Sequence, residues 1–211
     1  MYINYLKEIF DFKKIDFKLW LLLFLSFFLP FVFRFVPLNS YLNSILFYCI
    51  IPIVIILFIF KEPIKTFGYS FGDKKKVIFY SVVFSLIVTP IVMLSYFIPA
   101  VTNYYTIKPI IDIGSFLLFE LNVGVLIFFW ELFFRGFILF GLYKKLGNVA
   151  LPIHAIPFAL LHIGKPDIEV VASFFAALLL GQIAIKSKSF LPAFVIHWVI
   201  NAEIYLLANL Y

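Results

Sequence analysis

The chain has 211 residues, of which 64% are hydrophobic and only 13% are charged, and 30 phenylalanines help to raise the aromatic share to 21%. A soluble domain could not hide several apolar runs of about 20 residues, each long enough to cross a hydrocarbon layer of roughly 30 Å. The composition therefore predicts a polytopic protein of the lipid bilayer, and the net charge of +6 then indicates membrane orientation, with no nucleic-acid partner.

The first 18 residues mix lysines with apolar residues that recur at helical spacing. Leu6, Ile9 and Phe12 fall roughly on one helical face, and the stretch also contains Lys7, Lys13, Lys14 and Lys18. This pattern predicts an amphipathic segment that lies at the membrane interface, in preference to a disordered tail. Because no internal repeat or flexible linker follows, residues 19–211 are predicted to form one membrane-embedded helical domain.

Apolar runs between charged or turn-rich breaks predict about seven transmembrane helices, so the predicted fold class is all-α, a polytopic helix bundle. The predicted spans are 19–37, 41–60, 77–99, 115–142, 149–163, 169–185 and 190–209. Helices in lipid tolerate interior prolines, because neighbouring helices can satisfy the freed backbone groups. Kinks are therefore predicted at Pro30, Pro52, Pro90 and Pro157.

Basic residues between the spans predict the orientation, because cytoplasmic loops collect Lys and Arg. With the N-terminus in the cytoplasm, the loops on the opposite side hold only Lys108 and Lys165. The cytoplasmic segments then hold the four N-terminal lysines together with Lys61, Lys65, Lys74 to Lys76, Lys144, Lys145, Lys186 and Lys188. The sequence thus predicts an integral, multi-pass protein with a cytoplasmic N-terminus.

The fourth span carries most of the ionisable residues at membrane depth, where each one is costly and marks a candidate site. Glu120, Gly124, Glu131 and Arg135 fall near one stripe, because steps of four and eleven residues return close to the same helical face. Such a stripe should face the bundle interior. Residues 115–142 would extend about 42 Å as a straight helix, so the span must tilt, protrude or break, and Gly124 is a candidate break point.

Glu131 and Arg135 are spaced i,i+4 and can form an ion pair on a single helix, the least costly way to place either charge in lipid. On spacing alone, a structural ion pair is favoured over direct chemistry. Passage of an ion or a substrate along the stripe is a third interpretation.

Two later spans carry histidines with a partner four residues away. Phe158 precedes His162 in span five, and His197 precedes Asn201 in span seven. A lone buried histidine is more often a hydrogen-bonded packing residue than a ligand, but two in separate spans favour a shared polar site. His154, the third histidine, has no such partner and is assigned to packing.

Taken in order, Glu-x-x-x-Arg, Phe-x-x-x-His and His-x-x-x-Asn resemble the three motifs of the CAAX protease and bacteriocin-processing family of intramembrane endopeptidases, also called the Abi family. The resemblance covers residues 114–211, the motif-bearing part of the predicted domain. It implies hydrolysis of a peptide bond in a membrane-associated peptide or protein substrate, in the plasma membrane of a prokaryote. The sequence selects no particular substrate and indicates no oligomeric state.

The resemblance also implies roles for the motif residues. His162 would orient or deprotonate a water molecule, and His197 with Asn201 would polarise the scissile carbonyl. Glu131 would be the base or, because the family is classed as metal-dependent, would bind Zn²⁺ with His162 and His197. The zinc alternative requires Glu131 to leave its structural ion pair with Arg135.

One position departs from the family pattern, whose first motif normally reads Glu-Glu-x-x-x-Arg. Trp130 stands where the first glutamate is expected, and its indole offers a hydrogen-bond donor but no basic group. Glu131 cannot simply replace that carboxylate, because adjacent helical residues point about 100° apart, although a rotated or kinked span could bring it into the cavity. Two alternatives therefore stay open: a catalytically degenerate member that acts in binding or immunity, and a small transporter.

Overall fold

The computed structural model describes residues 16–106 and 112–209, which form helices and connecting turns without a strand. The helices are α1 (Phe17–Phe33), α2 (Ser40–Phe60), α3 (Lys74–Ser95), α4 (Pro99–Tyr105), α5 (113–146), α6 (Ala150–Leu160), α7 (Asp167–Ser187) and α8 (Leu191–Ala208). Within these ranges, five helical segments are long and apolar enough to cross a membrane, and α1 is a shorter apolar helix. The prediction of an all-α membrane bundle is confirmed.

Each predicted span overlaps one of these helices, with two differences. The sequence did not predict α4, a short helix whose Pro99 occupies the first turn, where its missing N–H costs nothing. Spans four and five are nearly continuous, because only the turn Gly147–Val149 separates α5 from α6. The predicted N-terminal interfacial segment lies outside the described residues, apart from the start of α1.

Four of the helices begin after an Asp or Asn whose side chain caps the first turn. In each case a side-chain oxygen accepts from a backbone N–H three residues on, over 2.8 to 3.3 Å. The capping residues of α1, α2, α3 and α5 are Asp16, Asn39, Asp73 and Asp112. A cap of this kind stabilises a helix by about 1 kcal/mol, so the sequence itself fixes where these helices start.

The second half of α5 is the centre of the bundle. The helix is α-helical over Ile113–Glu131, π-helical over Leu132–Phe140 and α-helical again over Gly141–Leu146. Every residue of 131–139 is buried. The predicted break at Gly124 is wrong, because α-helical hydrogen bonding continues through it and changes only at Leu132. Single π-helical stretches inside α-helices are frequent at functional sites.

Two glycines of α5 permit close packing at this centre. A Cβ on Gly141 would lie 2.7 Å from Leu22 Cδ1 of α1, and a Cβ on Gly136 would collide with the ring of Tyr69. The absence of these side chains lets α1 and the segment between α2 and α3 press directly against α5. The upstream helices thereby cover the centre of α5.

Glu62 joins three parts of the chain at one end of the bundle. Its carboxylate accepts from Lys18 at 2.8 Å and from Lys144 at 2.6 Å, which connects the start of α1, the segment after α2 and the end of α5. Burial raises the pKa of Glu62, but the hydrogen bonds from the two lysines outweigh it and hold that pKa below its ordinary value. The side of the membrane that this end faces stays a prediction.

Candidate functional site

Glu131 lies at the last α-helical position of α5 and contacts two of the predicted site residues. Its Oε1 accepts from Arg135 Nη1 at 3.0 Å and lies 2.6 Å from His197 Nδ1 of α8. A carboxylate held by a guanidinium is ionised and can only accept, so Nδ1 of His197 carries the proton. The remaining ring nitrogen of His197, Nε2, is then free to accept.

Arg135 is fully buried and has limited compensation for its charge. Only Nη1 is hydrogen-bonded, while Nε and Nη2 have no partner among the described residues. The guanidinium carbon instead lies 4.0 Å from the centre of the Phe158 ring, a cation–π contact. The phenylalanine of the second motif therefore supports the arginine of the first, which the sequence alone did not indicate.

His162 lies just beyond the end of α6, and a backbone carbonyl orients its ring. Its Nδ1 is 2.9 Å from the carbonyl oxygen of Phe158. Because a carbonyl only accepts, Nδ1 carries the proton and Nε2 is the acceptor of the neutral ring. The Phe158 ring centre lies 4.9 Å from that of His162 and 6.0 Å from that of His197, so this ring packs near both imidazoles.

Trp130 faces His162, whereas its neighbour Glu131 contacts His197. Its ring meets that of His162 edge-on, with centres 6.4 Å apart and an interplanar angle of 83°. The same indole packs against Tyr48, Phe134 and Phe158, and its Nε1 is buried without a hydrogen-bond partner in the described part of the chain. The 100° between adjacent helical residues thus directs Trp130 to His162 and leaves Glu131 for His197.

Asn201 lies one helical turn after His197 on α8. Its Oδ1 is buried, and no residue of the described ranges hydrogen-bonds to it. The structure thus brings Glu131, Arg135 and His197 into direct contact and packs His162 against Phe158. Asn201 lies one helical turn from His197, and its amide oxygen can still accept a hydrogen bond.

The implied zinc ligands do not converge in this arrangement. Among the described residues, no three His, Cys, Asp or Glu side chains form a group that could hold a metal ion. Glu131 is engaged by Arg135 and His197, and one ring nitrogen of His162 is turned to a backbone carbonyl. This placement does not fit a tetrahedral ligand set. Zinc binding by Glu131, His162 and His197 stays a prediction.

His154 is a packing residue in this structure. It is completely buried, its Nδ1 lies 2.6 Å from the carbonyl oxygen of Leu151, and its ring fills the space beside Gly181. It makes no hydrogen bond to the other motif residues. It therefore offers a matched histidine for experiments on His162 and His197.

Sequence reasoning missed one carboxylate at membrane depth. Glu203 of α8 lies 2.5 Å from the hydroxyl of Thr89 on α3, and its Oε2 is buried without a partner in the described ranges. The rule that picked out Glu120 and Glu131, an ionisable residue within an apolar run, applies equally to Glu203. Within the described residues, its hydrogen bond is to Thr89, and none joins it to Glu131 or to the two motif histidines.

The fold and this site define an integral membrane helix bundle that encloses an arginine–glutamate–histidine contact. Residues 112–202, somewhat less than half of the chain, match a family model described as type II CAAX prenyl endopeptidase Rce1-like. Over these residues, which include all the motif positions, the chain is similar to the CAAX protease family. No curated protein and no solved structure gives a significant match.

Proposed function

We propose that the protein is an intramembrane endopeptidase of the CAAX protease type that hydrolyses a peptide bond in a membrane-associated substrate, with His197 as the general base. The observation that carries the proposal is the 2.6 Å contact between Glu131 Oε1 and His197 Nδ1. A carboxylate that fixes an imidazole with Nε2 free is the arrangement that activates nucleophiles in many hydrolases. The match of residues 112–202 to a protease family model supports the same reaction class.

Exposure divides the roles between the two partners of this contact. The Glu131 side chain is 0% exposed, whereas that of His197 is 19% exposed. The imidazole, rather than the carboxylate, therefore borders space that water and substrate can reach. Glu131 acts through His197, which makes it a positioning residue rather than the base itself.

The reaction can be written with these side chains. Nε2 of His197 takes a proton from water, and the resulting hydroxide attacks the scissile carbonyl carbon. Glu131 stabilises the imidazolium, which then gives its proton to the departing amine as the carbon–nitrogen bond breaks. In the tautomer described, His162 can accept from the water but cannot donate to an oxyanion. The Asn201 amide, a donor one turn from His197, is the group that would stabilise the developing negative charge.

Glu131→Gln tests this division of roles. The glutamine oxygen can still accept from His197 and Arg135, but it carries no charge to stabilise the imidazolium. We expect kcat to fall by about 10²- to 10³-fold with little change in KM. This loss is smaller than the roughly 10⁴-fold loss expected when such a mutation also leaves the catalytic histidine in the wrong tautomer. The measurement is cleavage of membrane-anchored peptides by the purified protein in proteoliposomes.

The matched control for this test is Glu203→Gln, another intramembrane carboxylate, which should keep the parental kcat. Two results would contradict the proposal. One is an unchanged kcat in Glu131→Gln, and the other is a folded parent that cleaves none of a broad set of membrane-anchored peptides.

A second candidate function, binding of a peptide or lipid without hydrolysis, is favoured by the position of Trp130. Its ring stands against His162 where the family has a carboxylate. If the first proposal holds, the parent cleaves, and Trp130→Glu should lower kcat about tenfold or more, because a carboxylate buried among aromatic rings disturbs the wall beside His162. Trp130→Phe keeps the aromatic packing and should stay within a few-fold of the parent. The same peptide-cleavage measurement distinguishes hydrolysis from binding without hydrolysis.

If the parent protein is inactive and Trp130→Glu gives it cleavage activity, the result would support the binding function. In that case the substitution would have restored the missing base. The binding function would then be measured directly, by retention of labelled peptides on the parent protein.

A further inference from the structure

The interface between α5 and α8 holds a second buried carboxylate, about three helical turns from the Glu131–His197 contact. Glu120 is only 4% exposed. Its backbone oxygen and its Oε2 both accept from the indole N–H of Trp198, at 3.0 and 3.2 Å. The other carboxylate oxygen, Oε1, is buried and has no hydrogen-bond partner among the described residues. The neighbouring indole therefore satisfies only part of this carboxylate.

Two more acceptors on the same interface are in a similar state. Asn201 Oδ1 and Glu131 Oε2 are buried, and within the described ranges nothing donates to either. An unsatisfied buried polar group costs about 1–3 kcal/mol, and an ordered water with several polar partners is the usual remedy. Each of these atoms is an acceptor, and water, a small molecule with two donors, can satisfy acceptors of this kind.

The contacts between the two helices place these acceptors in sequence along one line. Glu131 meets His197, whereas Phe119 meets Tyr205 with ring centres 4.7 Å apart, so α5 and α8 run antiparallel. Glu120 and Glu131 are eleven residues apart, about 17 Å along α5. Asn201 lies between His197 and Tyr205 on α8. Its oxygen is therefore at a level between the two carboxylates.

Gly124 explains how the Trp198 indole reaches Glu120. A Cβ at this position would lie 2.7 Å from Trp198 Cε2, so the indole lies directly on the backbone of α5. Any larger residue would push the indole away and remove its hydrogen bonds to Glu120. The glycine on the polar stripe thus serves the arrangement of Glu120 and Trp198 rather than a break in the helix.

Beyond Glu120, further polar residues follow towards one end of the bundle. The Tyr105 ring packs edge-on against Tyr205, with centres 5.0 Å apart. The Tyr105 hydroxyl donates to the Glu169 carboxylate at 2.8 Å, and Lys165 Nζ donates to both residues. Burial and the Glu169 charge raise the pKa of Tyr105 well above its ordinary value, so the hydroxyl stays a donor. The partly exposed Lys165 connects this cluster to the outside.

We propose that Glu120, Trp198 and Asn201 form a water-binding site that connects the Lys165 end of the bundle to the Glu131–His197 contact. The water that it holds is the co-substrate of peptide hydrolysis, which the hydrocarbon interior does not supply. The role of this water rests on the proposed function, whereas the water site itself can be detected whether or not the protein cleaves peptides. Glu120 and Asn201 are positioning residues for water in this assignment.

Hydroxyl-radical labelling of the whole protein in detergent or nanodiscs tests the site, because X-rays generate the radical from water next to the side chain that it modifies. The three tryptophans act as internal standards: Trp198 in the proposed site, Trp130 in the aromatic cluster and Trp20, which is half exposed on α1. We expect Trp198 to be labelled severalfold faster than Trp130. Glu120→Leu and Asn201→Leu should each lower Trp198 labelling severalfold and leave Trp20 unchanged.

Glu203→Gln is the matched control and should leave Trp198 labelling at the parental rate. Labelling of Trp198 no faster than that of Trp130, or unchanged labelling in a folded Glu120→Leu or Asn201→Leu protein, overturns the water site. If one leucine variant does not fold, the other still decides. In a cleaving protein Glu120→Leu should also lower kcat severalfold at constant KM. Labelling as expected in a protein that cleaves nothing would support the water site and remove the proposed hydrolysis.

Discussion

Glu131→Leu alone is expected to lower the free energy of unfolding by about 3–5 kcal/mol, because it leaves the charge of Arg135 buried without a counter-ion. Arg135 is 0% exposed, and Glu131 is its hydrogen-bonded anion. Its cation–π contact with Phe158 would remain, but such a contact offsets only about 2 kcal/mol even when desolvated. The measurement is reversible unfolding of the purified protein in mixed micelles.

The double variant Glu131→Leu with Arg135→Met should recover most of this loss. Replacing both members of a buried ion pair by apolar residues of similar size is often neutral or stabilising, because the desolvation penalty disappears with the charges. The partly exposed counterpart is Glu62→Gln, which removes the charge from two salt bridges, with Lys18 and Lys144, and should cost no more than about 1 kcal/mol for each bridge. The expectation would be contradicted if Glu131→Leu lowered the free energy of unfolding no more than Glu62→Gln does. It would also be contradicted if the double variant were no more stable than Glu131→Leu.

The helices could be predicted from the sequence because their causes are local. Apolar runs of membrane length stand between charged segments, and Asp16, Asn39, Asp73 and Asp112 cap the helices that follow them. The short α4 was missed because seven residues carry little periodic signal. The π-helical stretch that begins at Leu132 was not predicted, since no feature of the local sequence indicates that hydrogen-bond pattern.

Within the candidate site, the contact between neighbours on one helix was predictable, but the contacts between residues distant in the chain were not. The spacing of Glu131 and Arg135 indicates an ion pair, which the structure contains. The 2.6 Å contact of Glu131 with His197 joins residues 66 positions apart in the chain, and no local pattern specifies it. The same holds for the Arg135–Phe158 contact. Helical geometry did indicate that Trp130 and Glu131 point in different directions, but only the packed bundle assigns one histidine to each.

His197→Ala is expected to abolish measurable cleavage, with kcat lowered by about 10⁴-fold, the upper end of what a general base contributes. His162→Ala should cost less, about 10²-fold, because the water that it orients can still reach His197. His154→Ala is the control, since it removes a buried imidazole whose hydrogen bond is to its own helix and whose ring packs beside Gly181. It should lower stability and leave kcat close to that of the parent. Peptide cleavage in proteoliposomes, normalised to folded protein, measures all three.

The order of the three histidine effects carries the argument about roles. If His162→Ala lost more activity than His197→Ala, the base would be the imidazole beside Trp130, and the Glu131–His197 contact would be structural. If both variants kept the parental kcat, neither histidine would touch the reacting atoms. The expected order, with His197 first, His162 second and His154 without effect, follows from one geometric fact: the buried carboxylate of Glu131 holds His197 alone among the three.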